Sequence, residues 1–172
     1  MLDIYKQLVA NQFEAAFCTL NACIERCPEE AWDAPVVNLR FCQAAFHTLF
    51  FTDLYLGPDV ESLRQQPFHR EHQALFRDFE ELEDRPQSLL YERPDVKAYL
   101  SHCRGKAAAV IAAEMAESLT GPSGFHWLKF SRAETHVCNI RHIQHYAAQL
   151  SLRLRLDWGA EVPWFGSGWR ET

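Results

Sequence analysis

Two histidines and three further polar side chains recur at helical spacing late in the chain, and they are the residue types best suited to chemistry. His142 lies three residues before His145 and four before Tyr146, while Asn139 and Gln149 continue the same spacing. Side chains at these intervals share one face of a helix. Neutral imidazole binds zinc, nickel or iron, so this face could supply half of a metal site. A polar seam between helices, or a solvated face, is the alternative interpretation.

A further histidine, His47, lies within a largely apolar stretch, residues 44–51. An imidazole in such surroundings loses its hydration without compensation unless its ring nitrogens find partners. Gln43, one helical turn earlier, is polar and could orient the ring. The pattern leaves two interpretations open: a metal ligand, or a core histidine bonded to a carbonyl group or another side chain.

Four long segments with helical periodicity would have to position these side chains. The first covers residues 3–26 and the second covers residues 37–56. The third starts at residues 94–95, continues through Met115 and stops at 121–122, and the fourth covers residues 131–155. Ser131 and Glu134 have the spacing of a capping box at the start of the fourth helix.

A polar stretch, residues 58–93, separates the second and third helical segments, and we predict a shorter helix within it at residues 71–83. The chain shows no strand-like alternation of any length. Four long helices joined by one long connection predict an all-α fold, a four-helix bundle with a crossover between helices 2 and 3.

The other histidines and the acidic run at residues 78–84 receive plainer interpretations. His136 lies about 240° around the helix from His142 at 100° per residue, so it should not join that cluster. The acidic run is expected to be a solvated helix face. Solvent exposure is predicted for the remaining four histidines, which are His69, His72, His102 and His126.

Length and charge limit the class of protein. A chain of 172 residues is expected to form one domain, residues 1–172. A net charge of -6 without a basic patch argues against nucleic acid as a partner. No apolar run approaches the ~20 residues that span a bilayer, and the first residues lack a secretory pattern. We therefore expect a cytoplasmic protein that does not enter membranes.

Six cysteines occur, none of them in a CxxC pair. All six lie in helical segments among apolar residues, where a free thiol behaves as a small buried hydrophobic group. Reduced structural thiols are therefore expected, in keeping with the cytoplasmic prediction. Cys23 and Cys27 are one helical turn apart, so a redox pair or a site for a soft metal is the alternative.

Two segments, residues 46–56 and residues 130–134 leading into 139–151, resemble the DinB-like superfamily, also called the DinB/YfiT family of metal-dependent proteins. Their order and separation fit that family across nearly the whole chain. The resemblance implies an up-down-down-up four-helix bundle that forms a homodimer. It also implies a divalent metal such as zinc, nickel or manganese, held by one histidine of the second helix and two of the fourth.

The resemblance places His47 at the first ligand position and His142 at the second. Its third position, the latter histidine of a His-His pair, corresponds here to Tyr146 in the pair His145-Tyr146. His145 could replace it as the third ligand, or Tyr146 could coordinate the metal or hydrogen-bond a metal-bound water. A hydrogen-bond network without metal, including Asn139, is the third possibility.

Relatives in the superfamily include thiol S-transferases that use bacillithiol, mycothiol or glutathione, as well as isomerases and hydrolases. The resemblance therefore implies a metal-dependent enzyme of transferase or hydrolase type with a low-molecular-weight thiol as a possible cofactor. His47, His142 and His145 would be the metal ligands, with Gln43, Asn139 and Gln149 supporting them. The alternative is a non-catalytic bundle that binds a small molecule, or serves only to dimerise, and whose metal site is degenerate.

Overall fold

Helices account for most of the chain in the computed structural model, which describes residues 1–77 and 79–167. The helices are α1 (Leu2–Arg26), α2 (Phe41–Leu56), α3 (Val60–Gln65), α4 (Pro67–Glu71), α5 (Gln73–Phe76), α6 (Arg93–Ala113), α7 (Ala116–Thr120) and α8 (Arg132–Trp158). Two short 3-10 helices cover Glu29–Ala31 and Glu80–Leu82, and two-residue strands β1 (Pro35–Val36) and β2 (Leu39–Arg40) form an antiparallel pair. The chain is all-α, as the periodicity predicts.

The four long helices enclose one apolar core. Helix α1 packs against α6 and α8, and helix α2 packs against the same two helices. The core is rich in fully buried large side chains, among them Phe13, Phe17, Phe46, Phe50 and Leu20. Each such side chain contributes about 1.5–3 kcal/mol relative to exposure. No helix in the described part of the chain has the length and apolarity that crossing a bilayer requires.

Helix α2 begins four residues later than predicted. Residues 35–40 fold back as the β1–β2 pair, in which Pro35 faces Arg40, and Val37 adopts a positive φ of 57° at the turn. The side chain of Gln43 accepts a hydrogen bond from the backbone amide of Arg40 at 2.9 Å and so caps the new helix start. The apolar periodicity alone could not reveal this turn.

Helix α8 carries the candidate site residues and begins where it was predicted to. The Ser131 hydroxyl accepts from the amide of Glu134 at 3.2 Å, which satisfies one of the free amides of the first turn. The helix continues to Trp158 and ends at Gly159, whose left-handed φ of 63° suits a glycine. The predicted end at residue 155 was therefore three residues too early.

The third long helix starts near the predicted position but stops sooner. Helix α6 ends at Ala113, and the chain turns through Glu114 and Met115 before the short helix α7. This break turns the carboxylate of Glu114 inward, where it is buried at 8% exposure. The expectation of one helix extending to residues 121–122 was wrong at this point.

The crossover, defined here as residues 58–92, contains several short helices instead of the single helix expected at residues 71–83. Helices α3, α4 and α5 follow one another, and Arg77 and Phe79 have positive φ angles of 40° and 60°. These angles stop helical propagation. Glu80, in the acidic run predicted to be solvated, is only 1% exposed, so that prediction was wrong for this carboxylate.

Candidate functional site

Three rings from two helices converge on one side of the core. Helix α2 supplies His47, and one turn of α8 supplies His142 and Tyr146. Ring centroids lie 5.7 Å apart for His47 and His142, 4.9 Å for His47 and Tyr146, and 5.0 Å for His142 and Tyr146. Phe51 closes one side, 4.7 Å from the His47 ring and 5.9 Å from the His142 ring. We call His47, His142 and Tyr146 the ring cluster.

The ring cluster is electrically neutral at pH 7. Burial lowers the pKa of His47 to about 4. Burial also lowers the pKa of His142 to about 4, assisted by the nearby charge that His47 would carry. Burial raises the pKa of the Tyr146 phenol, so the hydroxyl keeps its proton. Both imidazoles therefore carry one N–H and one lone pair each.

The ring nitrogens differ in their partners. Nδ1 of His47 lies 3.2 Å from the side-chain nitrogen of Gln87. A hydrogen bond to the backbone of His47 raises the pKa of His142 and so opposes the effect of burial. Nε2 of His142 is buried and has no hydrogen-bond partner among the described residues. An unsatisfied buried polar atom costs about 1–3 kcal/mol, so a bound molecule that supplied a partner would gain that amount.

His145 does not join the ring cluster. It is exposed, and its Nε2 lies 2.7 Å from the side-chain nitrogen of Gln149. Its ring meets the Tyr146 ring edge to face, with 5.2 Å between centroids. Helix α8 thus presents position 146 to α2 and turns position 145 towards solvent. The structure does not bring His145 and Gln149 to the two histidines.

The predicted supporting residues bond elsewhere. Gln43 donates to the carbonyl oxygens of Leu89 at 2.9 Å and Gln87 at 3.2 Å, so it holds the end of the crossover against α2. Asn139 is fully buried and donates to the Thr52 carbonyl oxygen at 3.0 Å, which ties α8 to α2. Gln87 is the residue beside His47, and its irregular segment has no periodicity that could have identified it.

The donor set does not fit a resident metal centre. Catalytic zinc sites use three protein ligands and structural sites use four, commonly with thiolate or carboxylate among them. The ring cluster offers two neutral imidazoles and a protonated phenol. Within residues 1–77 and 79–167, no group of three or more His, Cys, Asp or Glu side chains is arranged to hold a metal ion.

A second polar cluster lies around the buried carboxylate of Asp53. It accepts from Nε2 of His69 at 2.7 Å and from the Tyr99 hydroxyl at 3.0 Å, and Lys106 pairs with it. Burial alone would raise the pKa of Asp53, but hydrogen bonds from His102, His69 and Lys106, together with the charge of the Lys106 ammonium, outweigh it and hold the pKa well below its usual range. His69 is 3% exposed, so the prediction that it faces solvent was wrong.

A third polar cluster joins the break after α6 to helix α8. The Glu114 carboxylate accepts from Nε2 of His136 at 2.8 Å and from Nε of Arg132 at 3.0 Å. Hydrogen bonds from Ser118, His136 and Arg132 outweigh burial and lower the pKa of Glu114. His136 thus bonds to Glu114 and takes no part in the ring cluster, as its angular position on the helix predicted.

Cys23 and Cys27 offer no reactive thiolate. The thiols of Cys23 and Cys27 are both free and buried, and burial raises the pKa of each to about 12. Thiolates, not thiols, bind metals and attack electrophiles. A redox or soft-metal role for this pair has no support in its surroundings.

Comparison with known proteins yields no relative: no family model matches the chain, and neither a curated protein nor a solved structure is significantly similar to it. The geometry of the ring cluster therefore carries the functional argument.

Proposed function

We propose that this chain is a DinB-like four-helix bundle, of up-down-down-up order, whose ring cluster binds a small neutral molecule without a resident metal. The unpartnered Nε2 of His142 is the observation that carries this proposal. The pairing of α1 and α2 with both α6 and α8 supports the bundle. His47 and His142 occupy two of the three positions that the family resemblance implies, and Tyr146 occupies the third.

The ring cluster would recognise its ligand by hydrogen bonds and by one apolar wall. Nε2 of His142 carries a lone pair and accepts from a donor on the ligand. The Tyr146 hydroxyl can both donate and accept, and Phe51 supplies the apolar surface. Burying an ion without a counter-charge is costly, and the ring cluster has no charge, so a neutral ligand is favoured.

A fragment screen by NMR tests this binding function. Uniformly ¹⁵N-labelled protein is exposed to matched neutral and charged fragments at pH 7.5, and the ring nitrogens of His142 are observed. We expect neutral hydrogen-bond donors to shift Nε2 of His142, and His142→Phe to abolish that binding. His145→Phe, the same change on the exposed neighbour, is the control and should leave binding intact. Fragments that bind equally well to both variants would refute the proposal.

The competing function is a metal-dependent enzyme of transferase or hydrolase type. Its support is that both imidazoles are uncharged, as metal ligands must be. Position 146 decides between the two functions. If the family geometry is present, Tyr146→His completes a three-histidine set and should tighten zinc binding by roughly an order of magnitude or more.

Calorimetric zinc titration of metal-free protein distinguishes the two functions. We expect weak binding by the native chain, a clear gain in Tyr146→His, and loss of that gain when His47→Phe is added. Tight stoichiometric zinc binding by the native chain that disappears in His47→Phe would overturn the metal-free proposal in favour of the enzyme.

A further inference from the structure

Gln87 makes the one side-chain hydrogen bond to His47 that the described structure contains, and this bond decides which nitrogen of His47 carries its proton. The amide nitrogen of Gln87 lies 3.2 Å from Nδ1 of His47. An amide nitrogen can only donate, so Nδ1 must accept. A neutral imidazole that accepts at Nδ1 carries its proton at Nε2.

The segment that presents Gln87 is held firmly in place. Gln43 donates to the carbonyl oxygens on either side of Ser88. The buried carboxylate of Glu80 accepts from the Ser88 hydroxyl at 3.0 Å and from the amide of Leu89 at 3.0 Å. The Gln87 amide therefore approaches His47 from an anchored backbone.

The amide orientation also follows from burial. Oε1 of Gln87 is buried without a hydrogen-bond partner in the described structure. Turning the amide over would place its NH₂ group at that position. Buried N–H groups without a partner are rarer in proteins than carbonyl oxygens without a donor. The orientation in which Gln87 donates to His47 is thus the favoured one.

His142 has the opposite arrangement. Its Nε2 is buried and has no hydrogen-bond partner among the described residues. A buried N–H without an acceptor is rarer than a buried acceptor without a donor, so the proton is assigned to Nδ1. Nε2 of His142 therefore carries the lone pair.

We propose that Gln87 is a positioning residue that holds His47 in the Nε2–H form, so that the ring cluster presents one N–H donor from His47 and one acceptor from His142. This inference rests on the proposed ligand-binding function and specifies its ligand. The ligand carries a neutral group that both donates and accepts, of the kind found in a secondary carboxamide. Its oxygen accepts from His47, and its N–H donates to His142.

Long-range ¹H–¹⁵N correlation spectra at pH 7.5 read the two tautomers directly, because protonated and unprotonated ring nitrogens have distinct ¹⁵N shifts. His47→Asn and His142→Asn assign the signals. We expect His47 as Nε2–H and His142 as Nδ1–H in the native chain. Gln87→Leu should convert His47 to a mixture of tautomers, whereas Gln149→Leu, which removes the amide beside exposed His145, should not. Native His47 found as Nδ1–H, or native His142 found as Nε2–H, overturns the proposal.

A pair of amide probes tests the ligand class. N-methylacetamide both donates and accepts, while N,N-dimethylacetamide only accepts. We expect N-methylacetamide to shift the ring nitrogens of both His47 and His142, and to bind roughly fivefold more tightly than its dimethyl analogue, the value of about one hydrogen bond. Equal binding of the two, or no shift with either, refutes the ligand class.

The results of the two experiments distinguish a failure of the role proposed for Gln87 from a failure of the proposed ligand-binding function. Wrong tautomers together with fragments that still bind through His142 would remove the role of Gln87 and leave ligand binding standing. Correct tautomers in a protein that binds no fragment would remove the ligand-binding function instead.

Discussion

At the scale of single residues, burial determines the chemistry of the ring cluster. His47 and His142 have no carboxylate among the contacts described for them, so nothing offsets the cost of charging a desolvated imidazole. His69 and His136 each face a carboxylate, at 2.7 Å and 2.8 Å. The first pair is therefore neutral, whereas each imidazole of the second pair is bonded to a carboxylate.

The stability of the protein should decrease between pH 6.5 and pH 4 because of this pair. The pKa of each folded imidazole, about 4, is below the unfolded value of about 6.5. The unfolded chain therefore takes up protons first as the pH falls. The contribution of the two neutral imidazoles to the free energy of unfolding is complete above pH 6.5. It is lost as the pH falls to 4, by at most about 1.4 kcal/mol per pH unit for each imidazole.

Urea denaturation at pH 7.5, 6.5 and 5.5 measures this dependence. In the variant that carries both His47→Gln and His142→Gln, the free energy of unfolding should depend less steeply on pH over this range than in the native chain. His126→Gln, which changes an exposed histidine outside the ring cluster, is the control. The same pH dependence of the free energy of unfolding in the native chain and the double variant would contradict the assignment of the stability loss to His47 and His142.

At the scale of elements, buried charged groups hold irregular segments in place. Glu80 binds the end of the crossover through Ser88 and Leu89, with Arg85 3.3 Å from its carboxylate. Arg132, at the start of α8, donates to carbonyl oxygens at the end of α2. Both groups satisfy backbone atoms that regular secondary structure leaves without partners.

Glu80→Gln should destabilise the crossover, because one carboxylate oxygen becomes an NH₂ group facing donors. We expect a loss of about 1–3 kcal/mol in the free energy of unfolding. The amide of Leu89 should also exchange its hydrogen faster with solvent. Glu83→Gln is the control on the exposed side of the same run and should cost less than about 0.5 kcal/mol. Equal effects of the two changes would show that Glu80 does not hold this segment.

Arg132→Met should uncap helix α2. The guanidinium donates to Tyr55 O at 2.8 Å, Leu56 O at 2.8 Å and Gly57 O at 2.9 Å, and it also pairs with Glu114. Its removal leaves that carboxylate and three carbonyl groups short of donors, which we expect to cost about 3–5 kcal/mol in thermal or urea unfolding.

Arg132→Lys should restore only part of this loss, because an ammonium group lacks the planar fork of the guanidinium. Arg153→Met removes an exposed arginine of the same helix and is the matched control. An Arg132→Met variant as stable as Arg153→Met would contradict the capping role.

At the scale of the whole molecule, Asp53 joins three elements into one unit. It lies on α2 and accepts from His69 on α4 and from Tyr99 and Lys106 on α6. Gln66, between α3 and α4, donates to the same carboxylate at 3.2 Å. The crossover is thereby attached to the helices on which it lies.

Asp53→Ala should destabilise the whole protein by about 3–5 kcal/mol, because it leaves the Lys106 ammonium partly buried without its counter-charge. The pKa of Asp53 is held below the usual value of about 3.9, so its contribution is present above that pH and is lost as the pH falls below it. Thermal unfolding at pH 7 measures the loss, with Asp157→Ala as an exposed control. Equal melting temperatures for the two variants would contradict the role of Asp53.

Local sequence rules were enough to predict the long helices. The long helices follow from apolar periodicity and from stop signals such as Pro28, and the start of α8 follows from Ser131. The sharing of one helix face by His142 and Tyr146 is likewise a consequence of four-residue spacing. Helix starts and ends were wrong where a turn depends on contacts outside the helix, as at Val37 and at Glu114.

Contacts between distant positions required the tertiary structure. Forty residues separate Gln87 from His47 and sixteen separate His69 from Asp53, and neither segment between them has a regular period that could predict the contact. Sequence spacing also could not predict whether His145 or Tyr146 faces His47. The two positions are adjacent on α8, and the rotation of α8 against α2 decides which of them points towards α2. The sequence by itself determined the helices and the residue types they carry. Packing of the chain on itself decided which of those residues are buried, which are neutral and which meet.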